Sequence, residues 1–375
     1  MRSIFAILLA TLCLLSAAEL TAQRAPADGL QPQAVIAPDG RVHLIYYAGA
    51  ADAGDIFYVT RAPGSTDFSA PIRVDSEPGS AIAMGTIRGA QLALGRDGWV
   101  HVAWNGSKQA TPKGPKNSEP LLYTRKAANA AAFEPQRNLI TWAEGLDGGG
   151  SVAADGEGHV YVTWHASAGA TNDGQRVICV STSRDDGKIF AKEIAPIESK
   201  TGVCGCCSMR AGTDTSGGLA MLYRAAIGGM QRDMMLAYTP KPGAPTSIID
   251  LEPWRLGACP MSSAAIARAG DDLLVAWQGE KGLRWATVTK GKAGKSIELS
   301  TGEKAKHPTL ARAADGTIAV VWTEGTGWNQ GGSLHWQLYD ASGAPQGPAG
   351  SQAGVPVWSI PTVIADGESH FSVWY

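Results

Sequence analysis

Apolar and polar residues alternate with a period of two through most of this chain, and Asp-Gly turns separate the alternating runs. The clearest run is Asp39-Gly40-Arg41-Val42-His43-Leu44-Ile45-Tyr46, which returns as Asp97-Gly98-Trp99-Val100-His101-Val102-Ala103-Trp104. Looser copies end at Trp164, Tyr223, Trp277, Trp322 and Trp374. The closing aromatics are spaced by 58, 60, 59, 54, 45 and 52 residues. A repeat of this size marks an array or propeller. The period of two marks strands, and no helical periodicity of comparable strength competes with it. Each run predicts a first strand before the turn and a second after it. Third strands are predicted at 56–61, 121–125, 176–183, 233–239, 283–289 and 333–339.

The pattern therefore holds seven strand pairs but six third strands. A radial array closes its ring to remove open sheet edges. The polar leader at 19–30 is expected to add the missing strand, from about 19–24, to the last pair. The expected fold is all-β: one propeller domain over residues 31–375, built of four-stranded blades. Seven blades are favoured, and six with one differently packed pair is the alternative. No linker or composition shift divides the series.

Composition narrows the function classes. Charged residues are 18%, Gly numbers 46, and 12 Trp stand against 6 Phe, which suits short strands and tight turns. The net charge of -2 argues against a nucleic-acid partner held by phosphate neutralisation. No polybasic block suggests a membrane surface. At the N-terminus, Arg2 precedes an apolar run over 4–15 and the small residues Ser16-Ala17-Ala18. This reads as an export signal cut after Ala18, too short to span a bilayer, and no other run is apolar enough to do so. The mature chain is expected in an oxidising compartment without an integral membrane segment.

Ser183-Arg184-Asp185-Asp186-Gly187-Lys188-Ile189-Phe190 fits the pattern S-x-D-x-G-x-x-(W/F). With the D-G-x-V-x-V-x-W strands, the chain resembles the sialidase-like (Asp-box, or BNR-repeat) propeller superfamily over nearly its whole length. In that family the box is structural: Asp and Ser accept backbone N–H groups, Gly takes a positive φ, and the aromatic packs inward. Further runs are similar to secreted bacterial propellers: Ile87-Arg88-Gly89-Ala90-Gln91, Val102 through Ser107, Cys204 through Arg210, Trp254 through Ser263 and Trp322 through Trp328. The resemblance implies a bacterial protein, secreted or periplasmic. Sialidases use three arginines for a carboxylate, a Tyr nucleophile with a Glu partner, and an Asp acid. The R-I-P motif that carries the first arginine is absent here. Its nearest look-alike, Pro71-Ile72-Arg73-Val74, falls on a predicted outer strand. The resemblance therefore implies a fold, with sialidase activity itself disfavoured.

In a propeller, the starts of first strands and the ends of second strands share one mouth. This places Gln33, Arg88, Ser151, Met209, Arg210, Met261, Ser262, His307 and Thr362 beside Asn105, His165, Arg224, Gln278, Glu280 and Glu324. The adjoining loops add Asp147, Trp328 and Asn329. Arg88, Arg210 and Arg224 are candidate clamps for a carboxylate or sulfate. Asn105, His307 and Trp328 complete the candidate ligand-binding set. Glu324, Asp147 and His165 are the candidate catalytic groups, since glycoside cleavage needs paired carboxylates and His can act as a base.

Removing the signal leaves Cys179, Cys204, Cys206, Cys207 and Cys259. Aligning the fourth and fifth units lays Cys207-Ser208-Met209-Arg210 over Cys259-Pro260-Met261-Ser262. An inter-blade disulfide from Cys206 or Cys207 to Cys259 is expected, with Cys204 paired to the remaining member. Cys179 reads as a buried free thiol. The alternative is a soft-metal site at Cys204, Cys206, Cys207 and Cys259, with Met209 and Met261 nearby, suited to copper or zinc; otherwise no cofactor is expected. The functional expectation is an exported propeller that binds or hydrolyses a glycan, or another small anionic ligand, at the channel mouth. If it is an enzyme, it is a glycoside hydrolase. The alternatives are a non-catalytic propeller that binds polysaccharide or protein, and a metal or thiol site.

Overall fold

The structure, a computed structural model, describes residues 18–197, 201–299, 301–302 and 304–375. The expected export signal lies outside the described residues, apart from Ala18. The chain forms a seven-bladed propeller. From blade 1 to blade 7, the inner strands are Leu30–Ile36, Gln91–Leu94, Ser151–Ala154, Arg210–Thr213, Ala265–Ala269, Ala305–Arg312 and Thr362–Ala365. The second strands are Val42–Ala50, Val100–Asn105, Val160–Ala166, Leu219–Arg224, Asp272–Gly279, Ile318–Glu324 and His370–Trp374. Each pairs antiparallel with its inner strand.

Two devices make these units. The first is turn chemistry. Asp155 Oδ1 accepts the Glu157 and His159 N–H groups, and Asp214 Oδ1 accepts those of Ser216 and Gly218. In the Ser183–Phe190 turn, Ser183 Oγ accepts the Gly187 N–H and Asp185 Oδ1 accepts that of Ile189. Phe190 then meets the Tyr123 ring edge-on at 4.8 Å. The second device is burial on both faces of each sheet, which needs near-continuous apolar strands. In blade 6, Ile318, Val320 and Trp322 pack toward blade 5, while Ala319 and Val321 pack toward blade 7. Seven apolar clusters fill the seven gaps between neighbouring blades. The seven strand-closing aromatics, Tyr46, Trp104, Trp164, Tyr223, Trp277, Trp322 and Trp374, are all buried in them.

Glu19–Gln23 closes the ring as the third strand of blade 7, running parallel to His370–Trp374. The Ala25 N–H then donates to the Tyr375 carbonyl, and the Tyr375 N–H to that of Gln23. Ile72–Arg73 is the outermost strand of blade 1, and Arg73 is held there by Asp55 and Asp75. Among the described residues, no helix is long and apolar enough to cross a membrane.

Candidate functional site

The segments that lead into the inner strands converge on one end of the channel. In five blades the chain passes, just before the inner strand or at its start, through a non-glycine residue in the left-handed region: Gln31 (φ 50°), Thr86 (62°), Met261 (48°), His307 (54°) and Trp358 (65°). Each such residue costs of order 1 kcal/mol or more and persists only where its surroundings hold it. Gln31 shows how: its Nε2 donates to the Ala83 and Trp358 carbonyls, and its backbone N–H donates to Ser359 Oγ. The mouth is thus a laced ring of segments from different blades.

Two tryptophans dominate its open side. Trp328 is 57% exposed, and its ring meets that of half-buried Trp358 edge-on at 4.9 Å. They line a small cavity of about 30 Å³ with Thr86, Met261, Lys306 and His307. Arg88 adjoins this platform: a Cβ added at Gly85 would stand 2.8 Å from Arg88 Nη1 and 3.6 Å from Trp328 Cζ3. The Arg88 guanidinium is engaged by Asp147, donating to Oδ1 at 2.6 Å and to its carbonyl at 2.9 Å. It also donates to the Met84 carbonyl. The Asp147 side chain is 42% exposed and held by Arg88, and its Oδ2 faces the Gly205 turn, where an added Cβ would stand 3.2 Å from it.

Asn105 builds the loop that carries Asp147. Its Nδ2 donates to the Asp147 and Gly148 carbonyls, and its Oδ1 accepts the Gly150 N–H. Gly148 and Gly149 thread between other backbones, where a Cβ would collide with the Cys207 and Ile87 carbonyl oxygens respectively. Gly149→Ala is therefore expected to displace this loop, lowering stability by about 1–3 kcal/mol and breaking the Arg88–Asp147 pair. Denaturant unfolding reads the first effect and a crystal structure of the variant reads the second.

His165 is completely buried. Its Nδ1 accepts from Arg176, so its Nε2 carries the proton and donates to the Cys207 carbonyl at 3.2 Å. Burial holds its pKa down at about 3, and the ring stays neutral with both nitrogens used. It is a strut between blades 3 and 4, with no nitrogen left for a substrate. His307 is also buried and held near pKa 3 by burial, with Nδ1 against the Ser263 N–H and hydroxyl. Its protonated Nε2 is the nitrogen left for the cavity.

The three candidate arginines do not form one clamp. Arg88 is bound to the mouth loop as described. Arg210 is buried in the channel wall, where it lines a cavity of about 290 Å³ and, among the described residues, donates only to the Met209 carbonyl. Burial lowers its pKa to about 10. Arg224 is buried beside the cysteines, donates to the Arg232 and Gln278 carbonyls, and stacks 4.8 Å from the Trp254 ring centre. Glu324 is placed away from the other mouth candidates by its partners. Its Oε1 accepts from Trp322 Nε1 and the Gly302 N–H, and its Oε2 lies 3.8 Å from His335. It braces the flank of blade 6, because the strand's alternation sends it to the same side as Trp322. Glu280 and Asn329 are exposed.

Cys206 and Cys259 form a disulfide between the segments that lead into blades 4 and 5, with Cα atoms 6.3 Å apart. The expected second pairing does not occur: Cys204 and Cys207 are free, buried thiols. The reason is local. Cys207 N–H donates to the Cys204 carbonyl, closing a tight turn that sends Cys206 outward to exposed Cys259 and keeps the other two inside. A hydrogen bond from Cys204 holds the Cys207 thiol below its ordinary range, helped by Arg224, the Ser262 N–H and Arg232 against the opposing effect of burial. Cys179 is fully buried and free, its pKa pushed up to about 12 by burial.

Gln31, Lys306 and Trp358 were absent from the sequence-based set. Trp358 was within reach of it, since it precedes the seventh inner strand as Thr86 precedes the second. No pattern marks Lys306, whose Nζ donates to the Pro260 carbonyl across the blade 5–6 boundary.

No protein-family signature matches this chain, and no curated protein matches it. Solved structures do. The Hadza microbial sialidase Hz136 is 12% identical, with a TM-score of 0.54 over 86% of this chain and 74% of that one. The leech intramolecular trans-sialidase is 8% identical, with a TM-score of 0.50 over 86% of this chain and 78% of its own. A protein of unknown function from Dyadobacter fermentans is 12% identical, with a TM-score of 0.50 over 87% and 94% of the two chains. The chain thus has a sialidase-like propeller fold. At these identities the likeness speaks to architecture.

Proposed function

We propose that this protein is an exported propeller that binds a glycan at the mouth of its channel. The observation that carries this reading is the Trp328–Trp358 pair at the mouth, with one indole 57% exposed. An exposed aromatic face offers a large apolar area to a sugar ring at little entropic cost. Half-buried Lys306 and the Arg88–Asp147 pair supply polar groups beside it. A positive charge at Lys306 favours a glycan that carries a carboxylate or sulfate. The apolar N-terminal run supports export, and the Cys206–Cys259 disulfide suits an oxidising compartment.

Binding to an array of neutral and acidic glycans tests this. Trp328→Ala is expected to weaken the hit about 30-fold, the equivalent of ~2 kcal/mol. Failure to bind any glycan, or binding indifferent to Trp328, refutes the reading. Hydrolysis is the second reading, favoured by one observation: the half-exposed Asp147 carboxylate is oriented by Arg88, which adjoins the same platform. It requires turnover of a reporter glycoside that Asp147→Asn abolishes. Binding without turnover leaves the protein a lectin-like propeller.

A further inference from the structure

The cysteine cluster takes no part in the proposed glycan site. With Cys206 joined to Cys259, the remaining Cys204 and Cys207 have the spacing C-x-x-C and stay as thiols. Their sulfurs lie within 4.8 Å of each other. Two thiolates facing one ion across metal–sulfur bonds of roughly 2.3 Å would stand roughly 4.6 Å apart. The turn that presents them is fixed from three sides. Cys204 N–H donates to the Arg224 carbonyl at 2.8 Å, Cys207 N–H to the Cys204 carbonyl, and His165 Nε2 to the Cys207 carbonyl. Donors already presented on one fixed turn need only a small side-chain adjustment to close on an ion.

The surrounding charge is the second observation. Arg224 and Arg232 are 3% and 7% exposed. Arg224 Nε and Arg232 Nε and Nη1 are buried without a hydrogen-bond partner among the described residues. Buried guanidinium groups require counter-charge. Asp173 lies 3.6 Å from Arg232, and Glu252 acts on Arg224. Asp173 also lies within 4.8 Å of the Cys204 sulfur. A monovalent cation held by two thiolates carries one net negative charge, which buried guanidinium groups beside it would stabilise.

We propose that Cys204 and Cys207 form a buried two-thiolate site for a soft monovalent metal ion, Cu(I). Soft thiolates select Cu(I). Zn(II) takes four ligands in a closed site, and the Cys206–Cys259 bond removes two of the four sulfurs. On binding, both thiol protons leave to solvent and two Cu–S bonds form, with no change in oxidation state. Half-buried Cys206 and exposed Cys259 lie on the open side of the cluster, and the Cys206 sulfur is 3.4 Å from that of Cys204. The disulfide thus covers the site and keeps Cys206 from competing as a ligand.

The test uses the full chain, isolated without reductant. Peptide mapping after acid trapping is expected to find Cys206 linked to Cys259, with Cys204 and Cys207 free. A Cys204–Cys207 disulfide at this stage overturns the proposal. Cu(I) is then supplied anaerobically as its acetonitrile complex, in competition with a chromogenic Cu(I) chelator. One equivalent retained, with two sulfur neighbours by X-ray absorption, is the expected result. Cys204→Ser and Cys207→Ser should each weaken retention at least ~100-fold, while Cys179→Ser leaves it unchanged. No retention by the wild-type chain, or retention unaltered in both serine variants, refutes the site. If a variant does not fold, the stoichiometry and sulfur count on the wild type decide alone.

Discussion

Between pH 6 and 4.5 the protein is expected to lose stability at about 5 kcal/mol per pH unit. Four histidines cause this. His43, His101, His165 and His307 are all buried, and burial holds the first at a pKa of about 4 and the other three at about 3 in the folded chain. Unfolded, each titrates near 6.5. Across the interval between those values the unfolded chain carries a proton on each ring that the folded chain lacks. Their stabilising contribution is therefore fully present above pH 6.5 and lost as the pH falls toward 3. Unfolding free energies from denaturant melts across the interval give the slope directly. His101→Gln should reduce it by about a quarter. A flat profile would mean that these rings are charged in the folded state, against their burial.

Trp164→Ala is expected to cost about 3–5 kcal/mol, the range for truncating a fully buried tryptophan. Trp164 is completely buried in the cluster between blades 2 and 3, and its indole N–H donates to the Ala143 carbonyl. The substitution leaves a cavity that two rigid sheets cannot close, and it strips a buried carbonyl of its donor. Urea denaturation should show a lower midpoint with an unchanged slope. Trp328→Ala is the control: with Trp328 largely exposed, it should move stability by no more than about 0.5 kcal/mol. This contrast separates the tryptophans that build the ring from the one proposed to bind. If the two variants were equally unstable, Trp328 would be a packing residue and the glycan reading would lose its anchor.

The ring was legible in the sequence for a physical reason. Every second strand carries a run buried on both faces that closes on an aromatic, so Tyr46 through Trp374 recur every 45 to 60 residues. The missing third strand pointed to the leader, and Glu19–Gln23 lies there. Its parallel direction was not legible, because strand alternation is the same in either direction. The mouth was legible as a set of positions but not as contacts. Glu324 and Arg224 stand at second-strand ends, as expected, yet Glu324 turns to Trp322 and Arg224 to the cysteines. Side-chain direction there depends on the neighbouring loop, and spacing does not encode that loop's path. The cysteines show the same limit. Alignment of the repeats brought the segments of Cys206 and Cys259 together, but only the Cys204–Cys207 turn decides which sulfur faces which.

The seam at blade 7 has a consequence for how the molecule assembles. Glu19 pairs with His370, and Gln23 with Trp374, so the circle is fastened where the two ends of the path meet. Six blades can each fold from contiguous chain, but the seventh must recruit a strand from the far end. Until it does, His370–Trp374 presents a bare strand edge, open to a second molecule as readily as to its own leader. Fusions or truncations that disturb residues 19–25 should therefore show first as exchange of this strand between chains, before any change at the mouth.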